Sequence, residues 1–402
     1  MPRTGLTRER RWAALALLAL WVAAVAYVTL TPAGYSPSFR LRRFMCIACG
    51  ELDGSDILRN WILFVPGGLL SALVLDRWKA IALPVGLTLV VEASQTWIPG
   101  RDPALQDLLL NTLGGVTGVF LMRRGLTPVR QRMIVSAAAL AWLAPLALLV
   151  PGTTTYDLYG LWTPRFGRRA AYQGTILEAS VGGLPVYAWM VEDKATLDAA
   201  LRGREPIRLL FTAGGSTRSR DPIFQIVDRE SHGVLELHAL GPDLILRGWN
   251  PARVLLLDQP DTRWAGAMDG VAVGDTVTLV IDRSRDSTCM SIDDREQCNL
   301  APSLADGWGH VLYLEGPPAW FRELMSLMWA TGLGGLVGLV SGSRRSALVT
   351  ALGVALVGYV AAHISPDVRP SALHGAVLVG GALAGAFLRG PVARLWSEVR
   401  PA

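Results

Sequence analysis

Arg101-Asp102-Pro103-Ala104-Leu105-Gln106-Asp107-Leu108-Leu109-Leu110-Asn111-Thr112-Leu113-Gly114-Gly115-Val116-Thr117-Gly118 is an apolar segment with its polar residues gathered at the start and its glycines behind them. As a helix it places Asp107 and Asn111 one turn apart on a single face. Gly114, Gly115 and Gly118 would let the same helix pack closely against a neighbour. The apolar block, 105–122, is long enough to cross a hydrocarbon core of about 30 Å at about 1.5 Å per residue. Two earlier blocks repeat the theme: Asp56 and Asn60 stand at the start of 57–75, and Glu92 and Gln95 near the end of 80–97. If the chain reverses between successive spans, all six residues fall near one face of a membrane, joined there by Arg101. Ionisable groups inside a membrane cost about 2.5–3.5 kcal/mol each on insertion scales, so such a gathering normally lines a water-filled or ligand-accessible site.

The rest of the chain supports a membrane reading. Of 402 residues 51% are hydrophobic, and they collect in eight blocks: 12–30, 57–75, 80–97, 105–122, 133–150, 324–340, 347–362 and 372–388. The 347–362 block is the shortest. Short cytoplasmic loops retain Lys and Arg, and basic residues recur at alternate turns: Arg3, Arg8, Arg10 and Arg11; Arg77 and Lys79; Arg123, Arg124, Arg130 and Arg132; Arg344 and Arg345; Arg389, Arg394 and Arg400. Both termini are therefore expected in the cytoplasm and the polar residues at the outer face, with Arg40, Arg42 and Arg43 as an exception in the first outer loop. The first block also fits a cleaved signal peptide, having a basic start before an apolar run. Its length and the lack of a clean small-x-small site favour a retained anchor.

Residues 151–318 differ in character and are long enough to form a domain. Short runs rich in branched and aromatic residues lie at 208–211, 223–227, 234–239, 243–246, 254–257, 276–281 and 310–314, punctuated by Gly, Pro and Asp. That rhythm predicts an antiparallel β-sandwich outside the membrane, with one helix at 193–201. Cys289 and Cys298 are placed for a disulfide across a hairpin of this domain. Cys46 and Cys49 in the first outer loop form a CxxC, which reads as a redox pair, half a zinc site or a local disulfide. No second CxxC or nearby His completes a metal set, which favours the disulfide.

The spaced set Asp56-x-x-x-Asn60 leading to Phe64-Val65-Pro66-Gly67, then Glu92-x-x-Gln95, then Arg101 followed by Asp107, Asn111, Gly114, Gly115 and Gly118, resembles the VanZ-like family of bacterial membrane proteins. The resemblance covers about the first third of the chain. The family takes its name from a protein associated with low-level resistance to the glycopeptide teicoplanin, so it implies a place in the cell envelope. The outer domain is similar to concanavalin A-like or laminin-G-like lectin domains, which are jelly-roll sandwiches, in its strand rhythm and in the segment 274–281 followed by a hairpin through Ser291-Ile292-Asp293-Asp294. Calcium sites in that superfamily use clustered carboxylates, which Asp282, Asp286, Asp293 and Asp294 would supply in part; solvated turn acids are the plainer account. In the tail, aligning Val368-Arg369 with Gly100-Arg101 sets His363 opposite Gln95; shifting by one sets His374, Gly381 and Gly385 opposite Asp107, Gly114 and Gly118. This suggests a degenerate copy of the polar hairpin that has lost its acids and its Asn.

The expected organisation is a polytopic α-helical membrane protein of about eight spans with an extracytoplasmic jelly-roll-like sandwich. It divides into a four-span VanZ-like domain (1–125), a fifth span (126–150), the sandwich (151–318) and three C-terminal spans (319–402). Asp56, Asn60, Glu92, Gln95, Arg101, Asp107 and Asn111 are the candidate binding residues, with Arg101 expected to bridge carboxylates or hold phosphate by its planar fork. Pro66-Gly67 is expected to open the second span locally. His232, His238 and His310 read as ordinary sandwich residues, and Trp61, Trp97 and Trp320 as interfacial anchors. Interhelical carboxylate–amide networks also serve simply to hold bundles together.

Two function classes fit. One is a non-enzymatic envelope protein binding a membrane lipid or lipid-linked cell-wall precursor, its sandwich binding glycan or protein. The other is a membrane enzyme acting on a phospholipid or polyprenyl-phosphate head group, with Glu92 or Asp107 as general base. The absence of a nucleophile elbow, histidine–acid pair or metal motif in the membrane part favours binding, with no cofactor implied. A net charge of +5 is explained by the basic loops, whose natural partner is anionic lipid rather than nucleic acid.

Overall fold

The computed structural model describes residues 7–32, 53–99, 101, 103–124, 127–150, 158–162, 172–187, 191–215, 220–229, 232–283, 287–312, 317–365 and 367–399. The first long helices are α1 (Arg8–Leu30), α2 (Asp53–Val74), α3 (Arg77–Gln95), α4 (Leu105–Arg124) and α5 (Pro128–Leu148). After the β domain come α8 (Ala319–Val340), α9 (Arg344–Ile364) and α10 (Ala372–Val399). Seven of the described helices are long and apolar enough to cross a membrane by length and composition. The remaining one, α3, carries Lys79 at one end and Glu92 and Gln95 at the other, which keeps it outside that set. The chain is thus a membrane protein with a separate β domain. The shortest apolar block, 347–362, extends in the structure to the 21 residues of α9.

Two features of local sequence fix the helix boundaries. The Asp76 side chain accepts from the Lys79 N–H, and Thr127 does the same for Arg130 ahead of a proline at the start of α5; each satisfies an amide that the first turn leaves unpaired. At the same end of the bundle Arg123 donates to the Leu75 carbonyl at 2.9 Å, and Arg389 donates to that of Gly342. Arg77, Lys79, Arg123, Arg124, Arg130, Arg132, Arg344, Arg345 and Arg389 gather at this end of the helices, and the β domain lies at the other.

The helices pack as two sets. In the first, α2 lies against α4 with α1 and α3 beside them; in the second, α8 lies against α10 with α5 and α9 beside them. The close contacts match in both. A Cβ on Gly114 would sit 2.3 Å from the Trp61 carbonyl and one on Gly118 2.2 Å from that of Val65. In the second set, Gly381 stands 2.4 Å from the Thr331 carbonyl and Gly385 2.2 Å from that of Gly335 by the same measure. From the facing side, Gly68 meets the Gly115 carbonyl at 2.0 Å and Gly338 that of Ala382 at 1.9 Å. Only a missing side chain allows such backbone approach, as small residues do in membrane interfaces. Pro66 does not open its span: α2 runs on through it, and a Cβ at the next residue, Gly67, would meet the Trp21 ring at 2.3 Å. The Trp21 indole donates to the Leu63 carbonyl at 2.9 Å and meets Phe64 edge to face.

Between α5 and α8 the β domain forms two antiparallel sheets. Its elements are β1 (Tyr159–Trp162), β2 (Thr175–Val181), β3 (Leu184–Pro185), α6 (Lys194–Arg202), β4 (Ile207–Thr212), β5 (Asp221–Val227), β6 (Gly233–Leu240), β7 (Asp243–Gly248), α7 (Pro251–Val254), β8 (Thr262–Trp264), β9 (Thr276–Asp282), β10 (Cys289–Ile292) and β11 (Arg295–Gln297). One sheet runs β1-β5-β6-β7-β8 and the other β11-β10-β9-β4-β2-β3. Alternating inward residues of both, among them Ile207, Leu209, Phe211, Ile223, Leu237, Leu279 and Ile281, share one core, as a two-layer arrangement requires. Cys289 and Cys298 are joined, closing the β10–β11 hairpin. Its turn places Asp293 at a φ of 49°, and the Asp293 carboxylate accepts from the Thr278 N–H at 3.1 Å. This is turn chemistry; Asp286 lies outside the described residues.

Two expected strands differ among the described residues. In 254–257 the dipeptide Asn250-Pro251 starts a short helix: the Asn side chain accepts from the Arg253 N–H and proline presets the first turn. Of 310–314 the structure describes 310–312, and there His310 ends a 3-10 helix, Leu304–His310, that starts at a capping box between Ser303 and Asp306. That helix is driven into the membrane body, where Leu304 and Ala305 join the core formed by α5, α8, α9 and α10.

Candidate functional site

The end of α3, the start of α4 and the first turns of α2 meet at the β-domain end of the bundle. Asn60 on α2 donates to Asp107 on α4 at 2.5 Å. Glu92, 6% exposed on α3, accepts from the Ala104 N–H at 2.9 Å, just ahead of α4. Asn111 donates to the Thr88 hydroxyl at 2.9 Å, leaving its own carbonyl oxygen buried without a partner. Gln95 donates to the Thr29 carbonyl of α1 at 3.1 Å. Five of the seven candidate residues therefore join two helices, or a helix and the next turn, at one end of the first set. Asp56 differs: it pairs at 2.6 Å with Arg59 on its own helix, a residue the spacing argument passed over. Asp107 lies within the field of Asp56, Arg59 and Asp53.

Arg101 does not bridge the carboxylates. Its Nε donates to the Thr31 carbonyl at 2.9 Å and its Nη2 to that of Val28 at 2.6 Å. The last carbonyls of a helix lack partners within it, and a guanidinium close to the end of α1 supplies them. Burial, and after it the like charge of Arg59, hold Arg101 below the ordinary arginine value. Cys46 and Cys49 lie outside the described residues.

The β domain closes over the same place. Ser55, one residue before Asp56, donates its hydroxyl to the His310 carbonyl at 2.6 Å and accepts from the Asp258 N–H at 2.7 Å. The Ser55 N–H donates to the Leu256 carbonyl at 3.2 Å, and a Cβ on Gly54 would lie 2.1 Å from the Leu255 carbonyl. The His310 Nδ1 faces the Asp258 carbonyl at 2.8 Å, so this nitrogen carries the proton and donates. Burial lowers the His310 pKa, opposed by that hydrogen bond. Neither Ser55 nor His310 is marked by sequence pattern, since their roles arise from residues more than two hundred positions apart.

At the corresponding end of the second set, Ser303 bonds His374 Nδ1 at 3.0 Å and His374 Nε2 bonds Glu323 at 3.0 Å. Ser303 is fully buried and donates its hydroxyl to Asp306 at 2.9 Å. Asp306 also accepts from Ser326 at 2.5 Å, and the Trp308 indole donates to Ser326 at 3.0 Å. The hydroxyl is thus enclosed within the anchorage of the 3-10 helix rather than presented to a substrate.

Compared with known proteins, residues 14–127, which run from within α1 through the end of α4, match the family described as VanZ/LLP1. No curated protein and no solved structure matches the chain. The N-terminal part is therefore VanZ-like, and the family match contains all seven candidate residues.

Proposed function

We propose that this VanZ-like protein sits in a bacterial cytoplasmic membrane with both termini inside and residues 151–318 outside, and that its polar end binds a lipid or lipid-linked cell-wall precursor by the head group. Glu92 carries the reading. A carboxylate almost wholly removed from solvent, with one backbone N–H as its described partner, is costly unless something further engages it. Beside it the Asn60–Asp107 pair offers one more acidic group. Asp53, Asp56, Glu92 and Asp107 outnumber Arg59 and Arg101 here, which favours a head group rich in hydroxyl or amine donors. The basic end of the bundle supports the orientation through the retention of Lys and Arg in the cytoplasm. The sandwich, lectin-like in its two packed sheets, then faces the cell wall as a binder of glycan or protein, and the reading extends to a part in glycopeptide (teicoplanin) resistance.

Native mass spectrometry of the gently extracted protein tests this. The wild type should retain a defined amphiphile that Glu92→Gln loses while its melting temperature stays within a few degrees. A wild type that carries no adduct, or a variant that keeps the same one, would leave the polar residues as a structural network. Arg101→Ala is the weaker variant, because it also frees the end of α1.

A further inference from the structure

A concavity lies where the sandwich meets the start of α8. It has a volume of about 310 Å³, at the lower end of the ~300–1,000 Å³ typical of small-ligand sites. Arginines from both parts of the protein line it. Three are neutralised: Arg220 pairs with Asp261 at 2.9 Å, Arg247 with Asp261 at 3.0 Å and Asp258 at 3.2 Å, and Arg263 with Asp243. Arg322 and Arg369 make no such pair, although Arg322 lies within the field of Asp261, Asp306 and Asp243. Among the described residues neither guanidinium has a hydrogen-bond or ion-pair partner, and the Nε of Arg322 is buried. The remaining acids in the wall are engaged elsewhere, Asp306 by Ser303 and Ser326 and Glu323 by His374.

Arginine forks are costly to bury unpaired and well shaped for the oxygens of phosphate. Arg322 is fixed by the first turn of α8. Arg369 is fixed by its own N–H, which donates to the Pro302 carbonyl at 2.9 Å. Arg322 comes from α8 and Arg369 from the turn between α9 and α10, and the two open on one space, which is the arrangement a bidentate anion requires. Arg369 also stands, by the alignment of the tail with 97–101, where Arg101 stands in the first set. Arg101 spends its donors on the end of α1, whereas Arg369 has no such use.

We propose that this cavity is an anion site for a phosphate or phosphodiester group, held by Arg322 and Arg369. It is separate from the acidic end around Glu92 and does not depend on the reading given to that end. The position at the end of a membrane helix supplies two sources for such a group, a lipid head group and free phosphate.

The test uses the full chain in detergent. Inorganic phosphate should raise the melting temperature of the wild type in a saturable way, where chloride at equal ionic strength does not. In native mass spectrometry with added phosphatidylglycerol, the wild type should hold a lipid adduct that falls at least tenfold in Arg322→Gln and in Arg369→Gln and stays in Glu92→Gln. Arg369→Lys, which keeps the charge and loses the fork, should bind to an intermediate degree. Lipid binding without a response to phosphate assigns the site to a head group, and a phosphate response without lipid binding assigns it to the free ion. The proposal falls if the wild type responds to neither, or if both glutamine variants bind as the wild type does. An adduct lost only in Glu92→Gln would also overturn it while supporting the acidic site. Because the phosphate response is read on the wild type, a variant that fails to fold leaves the proposal open to refutation.

Discussion

Ser55 binds the two halves of the architecture with one hydroxyl, giving a hydrogen bond to the His310 carbonyl and taking one from the Asp258 N–H. Ser55→Ala removes both and leaves a buried donor and acceptor unpaired, at a cost of about 1–3 kcal/mol. The variant should melt earlier in detergent, and amides near 54–60 and 256–258 should exchange faster. A melt and an exchange pattern equal to the wild type would show the hydroxyl to be dispensable. His310 makes the same junction sensitive to acid. Its pKa lies below the ordinary 6.5 when folded, so the unfolded chain takes up a proton first as the pH falls. The junction is at full strength above about pH 6.5 and weakens below it, toward the lowered value. Amide exchange at 256–258, corrected for intrinsic rates, should rise over that range in the wild type and be flat with pH in His310→Leu. At this scale the candidate polar residues were legible because membrane burial makes charge conspicuous. Arg101 shows the limit: its type and place were readable, but its partners, two backbone carbonyls of α1, carry no sequence signature.

Helix packing depends on which glycines face a backbone. Gly118 and Gly338 do, so Gly118→Ala or Gly338→Ala must push apart α2 and α4 or α8 and α10, costing about 1–3 kcal/mol or more. Gly86 on α3 and Gly332 on α8 have nothing within 4 Å of an added Cβ, so Gly86→Ala and Gly332→Ala should leave the melting temperature unchanged or slightly raised. Melting curves of the four variants decide the matter, and equal losses in all of them would refute this account of the packing. Hydropathy revealed the apolar helices because twenty residues of one kind are a long signal. Short elements of the sandwich were harder. The run Val254-Leu255-Leu256-Leu257 has strand composition, yet Asn250 and Pro251 upstream commit it to a helical turn. His310 likewise belongs to a helix set by the Ser303–Asp306 box rather than by its branched neighbours. Local capping outweighed side-chain type in both places.

In the whole molecule the sandwich is inserted between two helices, α5 and α8, that pack against each other. Residues 14–127 already contain a VanZ-like helical set, and the second set has the same pairs of close contacts. Replacing 151–302 with a short Gly/Ser linker, so that the 3-10 helix stays in its slot, should give a chain that still inserts and melts cooperatively in detergent. Its α2 should lose amide protection in the first turn, where Leu256 and Asp258 no longer bond Ser55. Failure to insert would show that the sandwich is needed to assemble the helices. The matching of the two sets could be suspected from the tail, where glycines recur at the spacing of Gly114 and Gly118. The pairing of those glycines with carbonyls of α2 and α8 could not, because it depends on contacts between segments far apart in the chain.

The close fit of Gly54 and Ser55 to the loop after α7 has a mechanical consequence. No flexible side chain intervenes between the sandwich and α2 at that point, since backbone meets backbone. A tilt of the sandwich would therefore act on the first turn of α2 directly, displacing Asp56 and Asn60 relative to Asp107. The acidic end of the bundle is thus geared to the sandwich, and a displacement of either one is passed to the other through rigid backbone.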